Sequence, residues 1–306
     1  MSLLRNNSFI LALAVAGGIA AGHGAAFTRS LVTPLLAVIM TLSLVGVSSD
    51  VFRGGARLLR PVALALLLNY GILGGAFVLL ATLLLDDPAL RAGFVLIAAV
   101  PPAVAVIPFT YRLGGDLSFT LVGSVAGHVA AFVLTPLITL AVLGGSLVQP
   151  AQLLTALLQL VAVPFVVSRL LRRWKPVVGW LDVHRGALIN WGFFVVVYTI
   201  IGLNRTAFFG FSTEMVRVAA ISGLCTFGMA HAIYAASRWT GSRPADRVSH
   251  AVFGAWKNYG LAGAIALLYF GESAALPAAV TTAFAIVNFI VLNSTIAVKR
   301  TASQKT

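Results

Sequence analysis

The feature that most limits what this chain can become is a succession of long apolar stretches with almost no charge inside them. Ten segments, spanning residues 9–26, 31–47, 61–85, 90–111, 117–143, 151–171, 186–203, 215–236, 248–270 and 276–298, qualify as membrane spans. About 20 apolar residues, at about 1.5 Å of rise each, carry a helix across a hydrocarbon layer roughly 30 Å thick. With 59% hydrophobic and 9% charged residues among 306, the composition falls outside the range of water-soluble domains, and no gap between segments could hold one. In lipid every backbone donor and acceptor must find a partner inside the protein, so an all-α membrane protein is expected.

Basic residues test that division. The N-terminus, the loops after spans 2, 4, 6 and 8, and the C-terminus carry 1, 3, 1, 5, 3 and 3 of the 21 Lys and Arg, against 4 in the opposite loops. Positive side chains are retained in the cytoplasm, so this bias implies ten spans with both termini cytoplasmic, in the cell inner membrane. Orientation thereby accounts for the net charge of +13, and no basic run interleaved with aromatics points to nucleic acid. Arg5 and the apolar run from Phe9 to Gly22 imitate a signal peptide, but the span count and charge bias require a first transmembrane helix there. Five spans per half is an odd number, so if residues 1–149 and 150–306 are repeats they are inverted relative to each other.

Both halves carry an interruption followed by a turn. Pro101 and Pro102 interrupt span 4, and Gly114, Gly115 and Asp116 open span 5; Asn258, Tyr259 and Gly260 interrupt span 9, and Gly271, Glu272 and Ser273 open span 10. A tandem proline removes backbone donors and clashes with the preceding turn. Polar backbone freed at membrane depth survives only where protein or a watery cavity satisfies it, and paired interrupted spans are the best sequence pointer to a substrate site. Two ordinary proline or glycine kinks are the alternative.

Lys257 is the one basic residue inside a span, beside the second interruption. A cation there costs roughly 2.5–3.5 kcal/mol on insertion scales, so it either snorkels to an interface or is held as a fixed charge facing a cavity, as counter-ion or titratable group. The eight carboxylates, Asp50 among them, fall at span ends or in loops, which argues against a carboxylate proton relay or metal site. Thr120, Ser124 and His128 recur every fourth residue and share one face of span 5, while Asn69, Thr110 and Asn258 are further polar groups in spans. Singly such groups are more often interhelical glue than ligands. Cys225 is the only cysteine, which excludes intrachain disulfides, and no H-E-x-x-H, G-x-S-x-G or P-loop motif is present, so an enzyme is not expected.

From Ile39 to Lys299 the residues resemble the bile acid:sodium symporter family. The likeness rests on Ile39-Met40 leading to Asp50, Asn69 where the family has a glutamine, Val100-Pro101 followed by Thr110-Tyr111 and Gly115, Leu134-Thr135-Pro136, Trp239-Thr240-Gly241, and Asn258 with Gly260-Leu261-Ala262. The resemblance implies ten helices as two inverted five-helix repeats, with a panel of spans 1, 2, 6 and 7 beside a core of spans 3–5 and 8–10, where the interrupted spans 4 and 9 cross. It also implies sodium-driven transport of organic anions such as bile acids and other carboxylates.

The departures from the family pattern bear on that coupling. Where the family's first break ends in polar sodium ligands, this chain has Val106 and Ile107; where its span 9 has a glutamate and a glutamine, this chain has Phe253 and Lys257. Only Asn69, Thr120 and Ser124 remain as ligands, so no family-type pair of sodium sites is expected, and no cofactor is implied. Two sodium ions and one glutamate sum to one positive charge at the crossing, and Lys257 alone supplies the same. The expectation is a secondary transporter of a small organic anion working by alternating access, with Lys257 as a tethered cation in place of sodium. A sodium-coupled symporter and a non-transporting sensor on the same fold are the alternatives.

Overall fold

In a computed structural model the described residues are 7–46, 55, 57–103, 105–145, 149–209 and 212–303; Asp50 and Val104 lie outside them, as do the side chains from Asn293 onward. Among the described residues the chain is helical throughout, with one isolated antiparallel bridge in place of any sheet. The helices are α1 (Asn7–Ala21), α2 (Val32–Val45), α3 (Leu59–Leu84), α4 (Pro88–Ala99), α5 (Val106–Leu113), α6 (Leu117–Leu143) and α7 (Ala151–Leu171). They continue as α8 (Lys175–Leu203), α9 (Thr213–Trp239), α10 (Pro244–Phe253), α11 (Tyr259–Tyr269) and α12 (Glu272–Ser303). Seven helical stretches are long and apolar enough to cross a membrane, and α4 and α11 are shorter apolar helices. The chain is a multi-pass membrane protein.

The first of those seven stretches, Phe9–Val45, folds back on itself. Gly18 of α1 lies against Ile201 of α8, Thr28 pairs with Thr199 at 2.6 Å, and farther on Gly192 meets Ile39 and Gly46 meets Arg185. Residue numbers in α8 therefore fall as those in α2 rise, so α1 and α2 are two antiparallel passes beside α8. Helix α8 itself begins at Lys175, well before the apolar segment at 186, because Pro176 suits a first helical turn; Asp182 and Arg185 are helical rather than in a loop.

Local chemistry sets the helix ends. The Asp87 carboxylate accepts from the Ala89 and Leu90 amides ahead of α4, Asp116 accepts from Phe119 N ahead of α6, and Ser212 from Met215 N ahead of α9. Gly114 (φ 72°) and Gly271 (φ 90°) make the left-handed turns after the two interrupted passes, one in each half. Turns of π-helix occur at Leu67–Gly74 in α3, Leu158–Ala162 in α7 and Leu224–Gly228 in α9.

Helix α8 packs on α1 and α2, and α2 on α7; α3–α6 pack with α9–α12, and the two groups of helices meet where α8 and α1 touch α12 and where α6 touches α7. The second group contains both interruptions. Gly127 of α6 lies where the first interruption presses closest: a Cβ there would sit 2.6 Å from Pro102 Cδ. Gly127→Ala is expected to destabilise the protein by about 1–3 kcal/mol through overpacking. Gly179→Ala, on α8 with nothing within 4 Å, is expected to be neutral or stabilising. Thermal unfolding of the two purified variants in detergent checks the contrast.

Candidate functional site

The two interruptions meet. Asn258 N donates to Pro101 O (2.9 Å) and Ala103 N points to Trp256 O (3.5 Å), so Pro102 and Lys257 face each other in an antiparallel bridge. The second break runs from Gly254 to Asn258, earlier than the sequence suggested. Tyr259 and Gly260 belong to the first turn of α11, because Asn258 caps that helix by accepting from Leu261 N at 3.1 Å.

Pro102 explains why Lys257 is where it is. In an unbroken helix Ala98 O would receive the amide of residue 102, and a proline has none. Lys257 Nζ takes that place, donating to Ala98 O (2.7 Å) and to Val100 O (2.9 Å). The amine also stands 4.0 Å from the centroid of the Tyr70 ring, whose hydroxyl is fixed to Gly127 O. An amine so placed meets only electron-rich groups, the surroundings an ammonium needs. It also sits at the C-terminus of α4, the negative end of the helix dipole. Lys257 is fully buried rather than snorkelling.

Other freed carbonyls are satisfied by this chain's own groups. Ala99 O accepts from Thr135 Oγ1 (2.8 Å), and Ala255 O from the Tyr259 hydroxyl (2.9 Å). Asn69 Nδ2 reaches both Phe253 O (2.9 Å) and Trp256 O (3.2 Å), while its Oδ1 is buried without a partner. Thr135 and Tyr259 were not singled out by the sequence for this part. The tandem proline itself orphans the carbonyls of Ile97 and Ala98, so it does not point to Thr135 or Tyr259; their acceptors are freed by the unwinding that follows.

The Thr120, Ser124 and His128 face is buried in protein. Thr120 bonds the Thr110 hydroxyl (3.1 Å) and Asp116 O (2.9 Å); His128 Nδ1 lies 2.7 Å from Ser124 O, and its Nε2 has no partner. Where the family's sodium ligands would stand, Val106 and Phe253 are fully buried apolar side chains and Ile107 is a cavity wall.

A cavity of about 710 Å³ lies between the two helix groups, within the size range of small-molecule sites. It follows α8 from Asp182 to Ile201, roughly 28 Å of helix, and reaches the crossing at Ala103, Trp256 and Asn258. Its walls are mainly apolar, with Phe109, Phe193 and Ile286 among them, and Arg112, Asp182 and Arg185 line it where α5 ends and α8 begins. Of the polar residues singled out by sequence, Lys257 and Asn258 border this cavity, Lys257 with its amine turned away to the carbonyls; Asn69, Thr110, Thr120, Ser124 and His128 do not.

Residues 33–210, more than half of the chain, match the model of the Sodium Bile acid symporter family. The chain belongs to that family. Its members are transporters, so this protein is read as a transporter and not as an enzyme. The matched residues include Pro101 and Pro102 and end before Lys257. A comparison with curated protein sequences returned no match.

Replacing the amine tests its structural part. Lys257→Leu leaves Ala98 O and Val100 O unpaired, at about 1–3 kcal/mol for each buried acceptor. Thr135→Val orphans Ala99 O alone and is expected to cost less. Chemical denaturation in detergent should rank the two in that order.

Proposed function

We propose that this chain is a secondary transporter of a small organic anion that needs no bound sodium, with the Lys257 ammonium standing where relatives hold mobile cations. The observation that carries the reading is the amine's coordination: a fully buried Nζ on Ala98 O and Val100 O, at a crossing whose sodium positions are Val106, Ile107 and Phe253. Carbonyls released by an unwound helix are what a transporter offers a cation. Here a side chain of the same protein occupies them.

In this reading the chain makes ten passes as inverted repeats, residues 1–149 and 150–306. Paired interruptions, paired left-handed glycines at Gly114 and Gly271, and π-helical turns in α3 and α9 support it. The group α1, α2, α7, α8 is the panel and the rest the core, and the two rock about the cavity between them. The exposed end of the cavity at Tyr111, Arg112 and Asp182 lies among chain segments rich in Lys and Arg, which supports reading this as an inward-facing state of an inner-membrane protein with both termini in the cytoplasm. Substrate enters beside Arg112 and Arg185, lies against Phe109, Phe193 and Ile286, and brings its anionic group to the N-terminus of α11 at Asn258 and Gly260.

A sodium-coupled symporter has one observation in its favour, the buried and unpartnered Asn69 Oδ1. One oxygen falls short of the several that a hard cation requires.

Flux in proteoliposomes separates the two. With radiolabelled taurocholate as probe, uptake is expected to be equal under inward sodium and potassium gradients, and Lys257→Gln is expected to lower it at least tenfold. Sodium-driven accumulation that survives Lys257→Gln would contradict the reading.

A further inference from the structure

Among the described residues, the ion pairs sort by helix group. Arg217 with Asp86 (2.7 Å) and Arg243 with Asp116 (3.2 Å) join parts of the core, and Arg185 with Asp182 (3.6 Å) lies within α8 of the panel. Arg29 with Glu272 (2.8 Å) is different: Arg29 sits in the turn between α1 and α2, and Glu272 is the first residue of α12. This pair ties panel to core across 243 positions of sequence.

Its place relative to the cavity gives it meaning. The cavity lining is exposed at Tyr111 and Asp182 and buried at Val197, Ile200 and Ile201, so the cavity opens at the Asp182 end; Thr28, next to Arg29, pairs with Thr199 near the opposite, Ile201 end. At that closed end the two groups are in tight contact, since a Cβ on Gly263 of α11 would lie 2.9 Å from Ile200 of α8. The Arg29–Glu272 pair therefore fastens the face opposite the opening. At the mouth, Arg112 ends α5 on the core side and Asp182 projects from α8 on the panel side, both lining the open cavity. Arg112 thus lines the opening from one side and Asp182 from the other, and the present partner of Asp182 is Arg185, three residues away on α8 at 3.6 Å.

The geometry points to two alternating latches: Arg29–Glu272 holds the outer face shut while the mouth is open, and Arg112 pairs with Asp182 when the mouth closes and the outer pair parts. This rests on the alternating-access reading above. Arg29 and Glu272 are about half exposed, at 48% and 47%, so the pair is weak enough to exchange. An exposed ion pair changes the ratio of two states by a few-fold rather than locking one. Each latch biases the equilibrium toward its own state, and the pair that forms offsets the pair that breaks.

Electron–electron distance measurements on spin labels test this in lipid nanodiscs. Cys225→Ala removes the single native cysteine. Labels at Phe27→Cys and Ser273→Cys report on the outer face, and labels at Tyr111→Cys and Val183→Cys on the mouth; all four positions are exposed. Arg29→Gln is expected to raise the ratio of outer-open to outer-closed molecules roughly two- to fivefold, with a matching rise in the closed-mouth population. Asp182→Asn is expected to shift both ratios the opposite way, and the exchange Arg29→Glu with Glu272→Arg to restore the original ratio. Two populations that ignore Arg29→Gln, or that charge exchange fails to restore, overturn the latches and leave alternating access standing. A single distance at both faces in every variant overturns alternating access itself, and the latches with it.

Discussion

The hydrogen bond that Pro102 cannot give to Ala98 O is the constraint on which the centre of this molecule depends. A carbonyl left open in a fully buried position costs about as much as a typical point mutation takes from a protein's stability. Water is not at hand to relieve it in a membrane. Lys257 relieves it with a side chain that crosses from one broken helix to the other and donates to Ala98 O and Val100 O. The Tyr70 ring and the carboxyl end of α4 are surroundings that favour a charged amine there. One side chain therefore links the two broken helices through hydrogen bonds, and in the proposed function it also sets a fixed positive field at the crossing.

In the proposed function that field bears on transport because it cannot leave. A bound metal ion stabilises a site and then travels with the substrate, which couples the two movements. A tethered ammonium would stabilise the site through the whole cycle and carry nothing. Few oxygens remain for a mobile-ion site: Thr120 bonds Thr110 and Asp116 O, and Asn69, whose amide nitrogen holds the carbonyls of Phe253 and Trp256, offers the single unpartnered oxygen Oδ1. On the proposed alternating-access reading, the balance of inward and outward states is then left to surface charge and to close contacts such as Gly263 with Ile200.

Much of this was legible in the sequence because lipid narrows the choices. The apolar segments, Pro101-Pro102 and the left-handed glycines Gly114 and Gly271 located the interruptions and the turns after them, and the intramembrane Lys257 stood out by its insertion cost. The start of the second break was placed too late, since Asn258, Tyr259 and Gly260 looked like breakers while Asn258 in fact caps α11 and the chain unwinds from Gly254. The shared face of Thr120, Ser124 and His128 was legible from its spacing, but periodicity cannot tell a cavity from a neighbouring helix, and these residues face protein rather than the cavity. The parts of Thr135 and Tyr259 follow from which carbonyls lose their donors, a three-dimensional count that spacing alone does not supply. Likewise Asp182 and Arg185 read as loop residues because the apolar segment begins after them, although the helix begins at Lys175.

Equilibrium binding of radioactive sodium to the purified protein tests most directly whether Lys257 has replaced a mobile cation. The account expects no saturable binding to the wild-type chain and the appearance of saturable binding when Phe253→Glu and Lys257→Gln are combined, which removes the amine and returns oxygen ligands to the crossing. Saturable sodium binding by the wild-type chain, displaced by neither lithium nor potassium, would contradict it.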